Sequence, residues 1–465
     1  MALTENRKAI VWSALDKVGT YIINFAIQII LARLLCPDDY AVVAMLAIFI
    51  SISQAFIDSG FHTTLIQRKD CSQLDYSSVF YFNIIIGAIV YALFYFLSPI
   101  IESFYNFEGL SLVIKVYFSS LFINSFSMVH RAIMTKELKF KKVTFITLST
   151  SVISSIPAII LAYYGCGYWS LIIQSILSSL LSSSLIMYSS GWRPSFTFSY
   201  KSLKKLAPFG LKMLVIYLFH AIYNNIYSLV IGKNYTSQSL GIYDRSKTLS
   251  SMGPVGFSDF YTRALYPIQA KNQENNSIME STYNRSFTLM CLVIVPITAF
   301  MFFFADETIY TLFGGQWLEC SEFLQILAIG YLVYPLQALN MNMLKVKGRA
   351  DLMLKAEIIK KIVGITCLFL LTQFDLKVLV LGWTFCALFD FLISECYYKK
   401  LFGFSIIGSF KFLFSTIIIA FTLSYLISFL SNCFVENMYI RFFLGGVVFV
   451  TVYFAINYKN IKSLI

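Results

Sequence analysis

The sequence predicts an all-α integral membrane protein with about fourteen transmembrane helices. Of its 465 residues, 58% are hydrophobic and 13% are charged, which leaves too few polar side chains to cover a water-soluble fold of this size. Apolar segments of about 20 residues, the length that crosses the hydrocarbon of a bilayer, recur along the whole chain. Short basic loops separate these segments.

Fourteen segments qualify as candidate spans, and two of them are weak. The eighth contains Asp259 and Arg263, and the eleventh begins with Glu357, Lys360 and Lys361. We keep both, because omitting either one alone would invert every later loop and spoil the charge pattern described next. The predicted spans are 10–32, 41–61, 77–98, 110–130, 143–163, 167–188, 209–232, 248–266, 286–305, 323–341, 353–374, 376–398, 410–430 and 440–457.

Loop charge predicts the orientation in the membrane. Most of the 36 Lys and Arg residues fall in alternate loops, and cytoplasmic loops are the ones enriched in these residues. The bias fits fourteen spans with both termini in the cytoplasm. The first segment is long, carries Asp16 and Lys17 and lacks a small-residue cleavage site, so we expect it to remain as the first span.

Composition also limits the function classes. The net charge of +12 could indicate nucleic acid as a partner, but the basic residues lie in short loops instead of on a soluble face, so we expect no nucleic-acid binding. The nine cysteines are scattered singly, and the three histidines have no companions at metal-ligand spacing. We therefore expect no metal site and no cofactor.

The first two spans form a hairpin. The first apolar helix ends at Arg33, Pro37 and the two carboxylates at 38–39 form the turn, and the second span leaves the membrane at the basic pair 68–69. The two carboxylates are reminiscent of those in membrane glycosyltransferases. No other catalytic group lies near them in the sequence, so we interpret them as turn residues.

A segment with weak sequence similarity to this hairpin occurs 200 residues later. The offset pairs Asn24 with Asn224 and Arg33 with Lys233, although chance similarity between apolar segments is an alternative. The match places span 1 on span 7, and an even difference of six spans preserves the orientation. It therefore predicts two parallel six-helix bundles, an arrangement known from transporters. The predicted domains are a first lobe at 1–200, a second lobe at 201–402 and two additional transmembrane helices at 403–465.

Spans 1 and 7 each carry a polar face. Helical spacing aligns Lys17, Asn24 and Gln28 in span 1, and His220 with Asn224 in span 7. Such side chains are costly against lipid, so they should face other helices or a watered cavity. Hydrogen bonding between helices is the alternative for any single Asn or Gln, whereas two equivalent faces favour a cavity.

Further ionisable residues lie inside predicted spans. Asp259 and Arg263 are four residues apart and can pair on one helical face, which leaves Arg263 either structural or available to a substrate. Asp390 in span 12 is a candidate for ion or proton coupling, unless it pairs with a basic neighbour. Asp390 and Glu395 are five apart and do not share a face well.

Several segments together resemble a known family. They are ARLLCPDDYAVVAM, DSGFHTTLIQRKD, NNIYSLVIGK with LGIYDRS, and FLQILAIGYLVYPLQALNMNMLKVKGRADLMLKAEIIKK. From Trp12 to about Leu401 the chain resembles the bacterial lipopolysaccharide and polysaccharide exporters of the Wzx or oligosaccharide-flippase type, within the MOP superfamily. These segments point to the family and do not identify the sugar.

The resemblance implies two six-helix bundles that face each other across a central cavity, with two further helices. It implies that an undecaprenyl-pyrophosphate-linked oligosaccharide, a unit of O-antigen, capsule or exopolysaccharide, moves from the cytoplasmic to the periplasmic leaflet of the bacterial inner membrane. Alternating access with ion coupling is the implied mechanism, and a polysaccharide polymerase or export machinery is the implied partner beside the bilayer.

The resemblance also suggests functional residues, because a basic cavity would hold the anionic pyrophosphate. The substrate-binding candidates are Lys17, Asn24, Gln28, Arg131, Asn224 and Arg263. The ion-coupling candidates are Asp16, His220 and Asp390. His220 stands where similar sequences more often carry a carboxylate, so either a cation site is absent there or the histidine carries a proton.

Three other functions compete with export. A drug or small-cation antiporter on the same scaffold would need acidic inward faces, whereas the candidates here are mostly basic. A membrane enzyme would need a large periplasmic loop with catalytic carboxylates, and the candidates at 99–109 and 306–322 are too short. We therefore expect no enzymatic activity. A lipid scaffold without transport is the third alternative.

Overall fold

In the computed structural model, residues 19–58, 60–68, 70–271, 273–403 and 407–462 are described, and they fold almost entirely into helices. This confirms the predicted all-α class. A turn of 3₁₀ helix, Gly315–Trp317, precedes α13. The helices α1 to α19 are Gly19–Leu34, Pro37–Asp58, Phe61–Gln67, Gln73–Tyr105, Leu110–Tyr117, Ser119–Lys136, Phe140–Tyr163, Trp169–Ser190, Tyr200–Asn234, Ser237–Lys271, Asn276–Phe303, Ala305–Leu312, Cys320–Leu332, Tyr334–Val346, Ala350–Leu371, Leu376–Phe402, Ile407–Phe434, Met438–Ile456 and Tyr458–Lys462.

Within the described residues, each predicted span overlaps one or two of these helices. Among the described residues, 11 helices are long and apolar enough to cross a membrane, with α5–α6 and α13–α14 each counted as one. The other three predicted spans correspond to α1, which is described from Gly19 onward, and to α10 and α15, the two weak ones. The membrane protein is confirmed, and the number fourteen remains a prediction.

Local sequence explains where the long helices begin and end. At the start of α4, Ser72 Oγ accepts a hydrogen bond from Asp75 N at 3.2 Å and Asp75 Oδ2 accepts one from Ser72 N at 2.9 Å, which forms a capping box. Asn275 Oδ1 accepts from Ile278 N at 3.1 Å at the start of α11. Gly191 ends α8 in the left-handed conformation that a glycine adopts without strain.

By packing, the chain divides into two compact units, Met1–Gly241 and Ile242–Ile465. In the first unit α2 packs along α9, and α8 packs against α6 and α7. Leu65, Val79 and Val129 are fully buried in its core. Because lipid tails are as apolar as leucine, van der Waals packing of such side chains holds the helices together.

The second unit is built around α11 and α16. The helix α11 packs against α13, α14 and α17, and α16 packs against α13, α14 and α15. Aromatic side chains fill its core: the rings of Tyr283 and Tyr398 stack at 4.1 Å, and those of Phe300 and Phe304 at 4.7 Å. Stacked rings of this kind are rigid and contribute beyond the area that they bury.

The two hairpin turns that the sequence pairs have the same backbone geometry. Helix α1 ends at Leu34 and α9 ends at Asn234, and in each case α2 or α10 begins three residues later. Leu35 N donates to Leu31 O at 2.9 Å, and Tyr235 N donates to Ile231 O at 2.9 Å. The offset of 200 therefore holds for the structure of this turn. The predicted lobe boundaries were drawn from the sequence repeat. A division of the chain by packing does not test a repeat, so these boundaries stay a prediction.

A second turn also occurs twice. Between α6 and α7, Lys139 N donates to Met134 O at 2.9 Å, and between α14 and α15, Arg349 N donates to Leu344 O at 3.1 Å. Each turn has one residue in the left-handed region, Leu138 at φ 55° and Gly348 at φ 67°. The element order around these turns is the same in the two units, as expected for a repeat.

Within the first unit, the two hairpin turns are in contact with each other. A Cβ atom added to Gly241 would lie 1.9 Å from the Pro37 carbonyl oxygen, so no side chain fits at this position. Ser237 Oγ donates a hydrogen bond to Asp38 Oδ1. The first turns of α2 and α10 are thus held together at the position where the sequence predicts turn residues.

Candidate functional site

Arg131 lies inside an apolar span, and polar groups from neighbouring helices surround it. The span Leu110–Lys136 contains α5 and α6, and Arg131 is partly buried on α6. Its guanidinium donates to Ser182 Oγ on α8 at 3.3 Å. It also interacts electrostatically with Asp58 at the end of α2 and with His62 on α3. A charge inside a membrane span is costly and marks a functional position by default.

Asp58 and His62 were not among the predicted site residues. Gln54 Nε2 donates to Asp58 Oδ1 at 3.1 Å, one helical turn earlier on α2, and His62 Nε2 is buried without a hydrogen bond from the described residues. Gly60, at φ 66°, turns the chain between these two residues. Asp58 therefore belongs to the Arg131 cluster, which is formed by Arg131, Asp58, His62 and Ser182.

The polar faces of α1 and α9 take different forms. His220 and Asn224 are both exposed on α9, and Asn224 Nδ2 lies 3.1 Å from His220 Nδ1, so these two predicted residues form one polar pair. On α1, Asn24 is exposed and Gln28 is partly buried. Neighbouring protein leaves His220, Asn224 and Asn24 uncovered, as residues that face a watered space require.

A group of four charged residues occupies the contact between α15 and α16. Lys360 Nζ is 3.4 Å from Glu357 Oε1, and Lys361 Nζ is 3.8 Å from Glu357 Oε2. Asp390, a predicted ion-coupling residue, interacts electrostatically with both lysines, and its Oδ1 atom is buried without a hydrogen bond from any described residue. Two cations and two carboxylates balance in charge, so this group has the composition of a closed ion-pair network.

Glu395 forms a separate polar network on another face of α16, as its five-residue distance from Asp390 predicts. Tyr283 Oη on α11 lies 3.3 Å from Glu395 Oε1 and 2.8 Å from Asn340 Oδ1 on α14. Asn340 Nδ2 donates to Ser394 Oγ at 3.1 Å and also interacts with the Glu395 carboxyl. Glu395 is 2% exposed, and its Oε2 atom has no hydrogen bond from the described residues. The sequence did not single out Glu395 as a site residue.

Some predicted residues lie outside what the structure describes. Lys17 and Asp16 precede the first described residue, and Arg263 lies on α10 in a stretch whose side chain is not described. The proposed pair between Asp259 and Arg263 therefore stays a prediction. Asn24, Gln28, Arg131, Asn224, His220 and Asp390 are all on described helices.

The sequence contained a signal for the residues that were missed. Asp58 and Glu395 are acidic residues in predominantly apolar spans, and such residues are rare and functional by default. Their partners come from helices far away in the chain, which residue spacing cannot reveal. In the described part of the chain, no group of three or more His, Cys, Asp or Glu side chains is placed to hold a metal ion.

The chain is similar to several known proteins. A model of the family described as "Polysaccharide biosynthesis protein" matches residues 30–322. The chain is 27% identical over 310 residues to the teichuronic acid biosynthesis protein TuaB of Bacillus subtilis, a match that covers 64% of this chain and 62% of TuaB. The match thus spans less than two thirds of TuaB. It is also 22% identical over 355 residues to the lipopolysaccharide biosynthesis protein WzxC of Escherichia coli, covering 75% of this chain and 71% of WzxC.

Among solved structures, the fold is similar to that of the lipid II flippase MurJ in an inward closed conformation. The TM-score is 0.78 at 14% sequence identity, and the match covers 97% of this chain and 100% of the MurJ chain. At this identity the likeness shows a shared fold. The residues of the Arg131 cluster lie within this fold.

Proposed function

We propose, from the premise that this chain belongs to the polysaccharide biosynthesis protein family, that it flips a lipid-linked oligosaccharide across the bacterial inner membrane. Family membership and the shared fold support a multi-pass membrane transporter of the MOP superfamily over an enzyme. The proposed substrate is an undecaprenyl-pyrophosphate-linked unit of O-antigen, capsule or exopolysaccharide. It would move from the cytoplasmic to the periplasmic leaflet by alternating access.

The observation that carries this proposal is the position of Arg131. A guanidinium is charged at every physiological pH and its planar donors match the oxygens of a phosphate group. Arg131 is partly buried inside a span, where the low dielectric strengthens its attraction for an anion. Asp58, nearby, offsets its charge when no substrate is bound. We propose that the pyrophosphate competes with Asp58 for the Arg131 guanidinium.

The remaining candidates extend this proposal along the path of the head group. Asn24, Gln28 and Asn224 would hydrogen-bond the sugars from helices α1 and α9, and Lys17 and Arg263 would add positive charge. For ion coupling we propose Asp16, His220 and Asp390 as candidates. A polysaccharide polymerase or export machinery is the proposed partner. We favour export over a drug or cation antiporter because the family match is to polysaccharide biosynthesis proteins.

The test is charge reversal at Arg131 in a strain that lacks the chromosomal copy. We expect Arg131→Glu to reduce surface glycan at least about tenfold, since a loss of about 1.4 kcal/mol of substrate interaction corresponds to a factor of ten. Lipid-linked oligosaccharide should accumulate on the cytoplasmic face of spheroplasts. The matched control is Lys142→Glu, an exposed residue in the first turn of α7, the helix that follows the same span, and this variant should export normally.

Two outcomes would contradict the proposal at different points. Normal glycan display by Arg131→Glu, at a membrane level equal to that of the control, would remove Arg131 from the mechanism. Normal periplasmic delivery in a deletion strain without a paralogue would contradict the flippase function itself.

A further inference from the structure

If the Glu395 carboxyl is ionised, the side chains around it have fewer donor hydrogens than the network has hydrogen-bond contacts. Ser394 Oγ donates to Phe391 O at 2.6 Å, so it accepts from Asn340 Nδ2, and this fixes the orientation of the Asn340 amide. Asn340 Oδ1 then faces Tyr283 Oη at 2.8 Å and accepts its single hydrogen. The Tyr283 hydroxyl has no second hydrogen for Glu395 Oε1, which lies 3.3 Å away.

A carboxylic acid resolves this shortage, because its own O–H can donate to Tyr283 Oη. The surroundings of Glu395 favour the neutral form as well. The groups that face it are Tyr283 on α11, Asn340 on α14, and Ser394 and Tyr398 on α16, with Glu280 of α11 near Tyr398. No lysine or arginine among the described residues forms an ion pair with Glu395. An ionised carboxylate that is 2% exposed, with one oxygen unbonded, would be very costly there.

We infer that Glu395 carries a proton at neutral pH, so that α11, α14 and α16 enclose a proton-binding site in the second unit. This site is distinct from the Asp390 group, whose lysines balance its carboxylates. A role of this proton in driving export rests on the proposed function, whereas the presence of the proton does not. Loss of the proton would leave a buried charge and force the three helices to rearrange.

Infrared spectroscopy of purified protein at neutral pH tests the inference. The spectrum should contain a protonated carboxyl band that Glu395→Gln removes, and Glu395→Gln should melt within about 2 °C of the unmodified protein, since the amide replaces a neutral acid. The matched control, Glu357→Gln, removes the carboxylate partner of Lys360 and should reduce the carboxylate band instead. If Glu395→Gln reduces the carboxylate band and leaves the acid band unchanged, the inference is wrong. This measurement does not involve export, so its failure is distinguishable from failure of the flippase proposal.

An independent observation concerns the segment between α8 and α9, residues 191–199. Its backbone is fixed to the first turns of α4: Gln73 Nε2 donates to Arg193 O at 2.8 Å, Ser195 N to Ser77 Oγ at 3.0 Å, and Ser199 N to Ser78 Oγ at 2.9 Å. Ser195 Oγ lies 2.9 Å from Ser77 Oγ and 2.7 Å from Thr197 Oγ1, so Ser195 and Thr197 lie on the side of the segment that faces α4. The intervening side chains are exposed instead.

The outward side chains are aromatic. Phe196 is fully exposed, and Phe198 and Tyr200 are more than half exposed. Ser77 and Ser78, to which the segment is bonded, begin the apolar run of a predicted span, so the rings lie at the depth of the membrane interface. Lys201 and Lys204 are exposed beside them, and no acidic residue occurs between Glu137 and Asp244. Aromatic rings with adjacent lysines suit an anionic lipid surface.

We propose that this aromatic edge, Phe196, Phe198 and Tyr200, inserts into the anionic cytoplasmic leaflet. The test places the photoreactive amino acid p-benzoylphenylalanine at Phe196 in the full-length chain in cells. We expect a phospholipid adduct, seen by mass spectrometry, and at least about fivefold less of it from Thr197. The Thr197 side chain is the matched control, because it points to the other side of the segment and lies 2.7 Å from Ser195. Protein adducts at Phe196, or equal lipid adducts at the two positions, would overturn the proposal.

Discussion

Leu138 and Gly348 occupy the same position in two copies of one turn, but glycine alone fits its backbone without strain. Leu138 has φ 55° and is half exposed, so its side chain gains little from packing. A left-handed conformation costs a residue with a Cβ atom about 1–2 kcal/mol. The first copy of the turn thus retains strain that the second copy lacks.

The substitution Leu138→Gly removes this strain. We expect it to be more stable than the control Leu112→Gly by about 1–2 kcal/mol, since Leu112 is similarly exposed but lies in the helix α5, where glycine costs about 1 kcal/mol. Thermal unfolding of the purified proteins in detergent measures the difference. Equal melting temperatures for the two variants would show that the turn at Leu138 is unstrained.

Individual side chains also show how far sequence analysis can reach. It could place Asp390 inside a span and Arg131 at the edge of one, because a charge in or beside an apolar run is visible without a structure. It could not find the partners of Arg131, since Asp58 and Ser182 come from helices that are far apart in the chain. The shortage of donor hydrogens around Glu395 follows from hydrogen bonds among three helices. Residue spacing in the sequence cannot predict these hydrogen bonds.

At the scale of helices, α15 explains why hydropathy fails for some spans. Lys360 is 1% exposed although it lies on a helix with a predicted span, because it points to Glu357 and to Asp390 on α16. Hydropathy counts a lysine as polar wherever it points. Hydropathy alone would have omitted the span that corresponds to α15. The alternation of charge between loops was the reason to keep it in the prediction.

The burial of Lys360 predicts unequal effects for two neighbouring lysines. We expect Lys360→Met to destabilise the protein by about 3–5 kcal/mol, because it leaves the carboxylates without their buried cation. Lys361→Met should cost about 1 kcal/mol or less, since this side chain is 39% exposed. Melting temperatures in detergent test the difference, and an equal loss from both variants would contradict the assignment of Lys360 as the central cation.

The contact between the first turns of α2 and α10 also predicts unequal effects for two glycines of α10. Gly241→Ala should destabilise the protein by about 1–3 kcal/mol, because the added Cβ would overlap the Pro37 carbonyl. Gly253→Ala is the control, since its Cβ would meet its nearest neighbour at an ordinary 3.7 Å, and alanine is favoured in a helix by about 1 kcal/mol. Similar melting temperatures for the two variants would argue against a close approach at Gly241.

At the scale of the whole molecule, composition and the recurrence of apolar segments of about 20 residues were sufficient to predict the fold class, because only membrane-spanning helices require both. The repeat offset was also readable, since Arg33 and Lys233 mark equivalent helix ends. The boundary between the two compact units at Gly241 could not be predicted from the sequence, because it depends on how α9 packs along α2. Orientation comes from loop charge and remains a prediction.

Native cysteines provide a direct test of that orientation. Cys36, Cys166 and Cys433 are exposed in loops predicted to be periplasmic, whereas Cys71 lies in a loop predicted to be cytoplasmic. We expect a membrane-impermeant maleimide to label the first three in spheroplasts and Cys71 only after permeabilisation. Partial burial and the hydrogen bond to Asp39 raise the pKa of the Cys36 thiol, so its labelling should be slower near neutral pH and should accelerate as the pH rises. Labelling of Cys71 alone in sealed spheroplasts would show that the orientation is opposite to the predicted one.

The contact of Pro37 with Gly241 has a consequence for biosynthesis. A ribosome adds about 5–20 residues per second, so about 10–40 s separate the synthesis of these two turns. During this interval the first hairpin is already in the bilayer, and the turn at Pro37 has no partner to cover it. The first unit can be completed only after α9 has been inserted. Assembly of this unit is therefore a late event during translation, and the early helices depend on the insertion machinery or lipid to shield their unpaired faces.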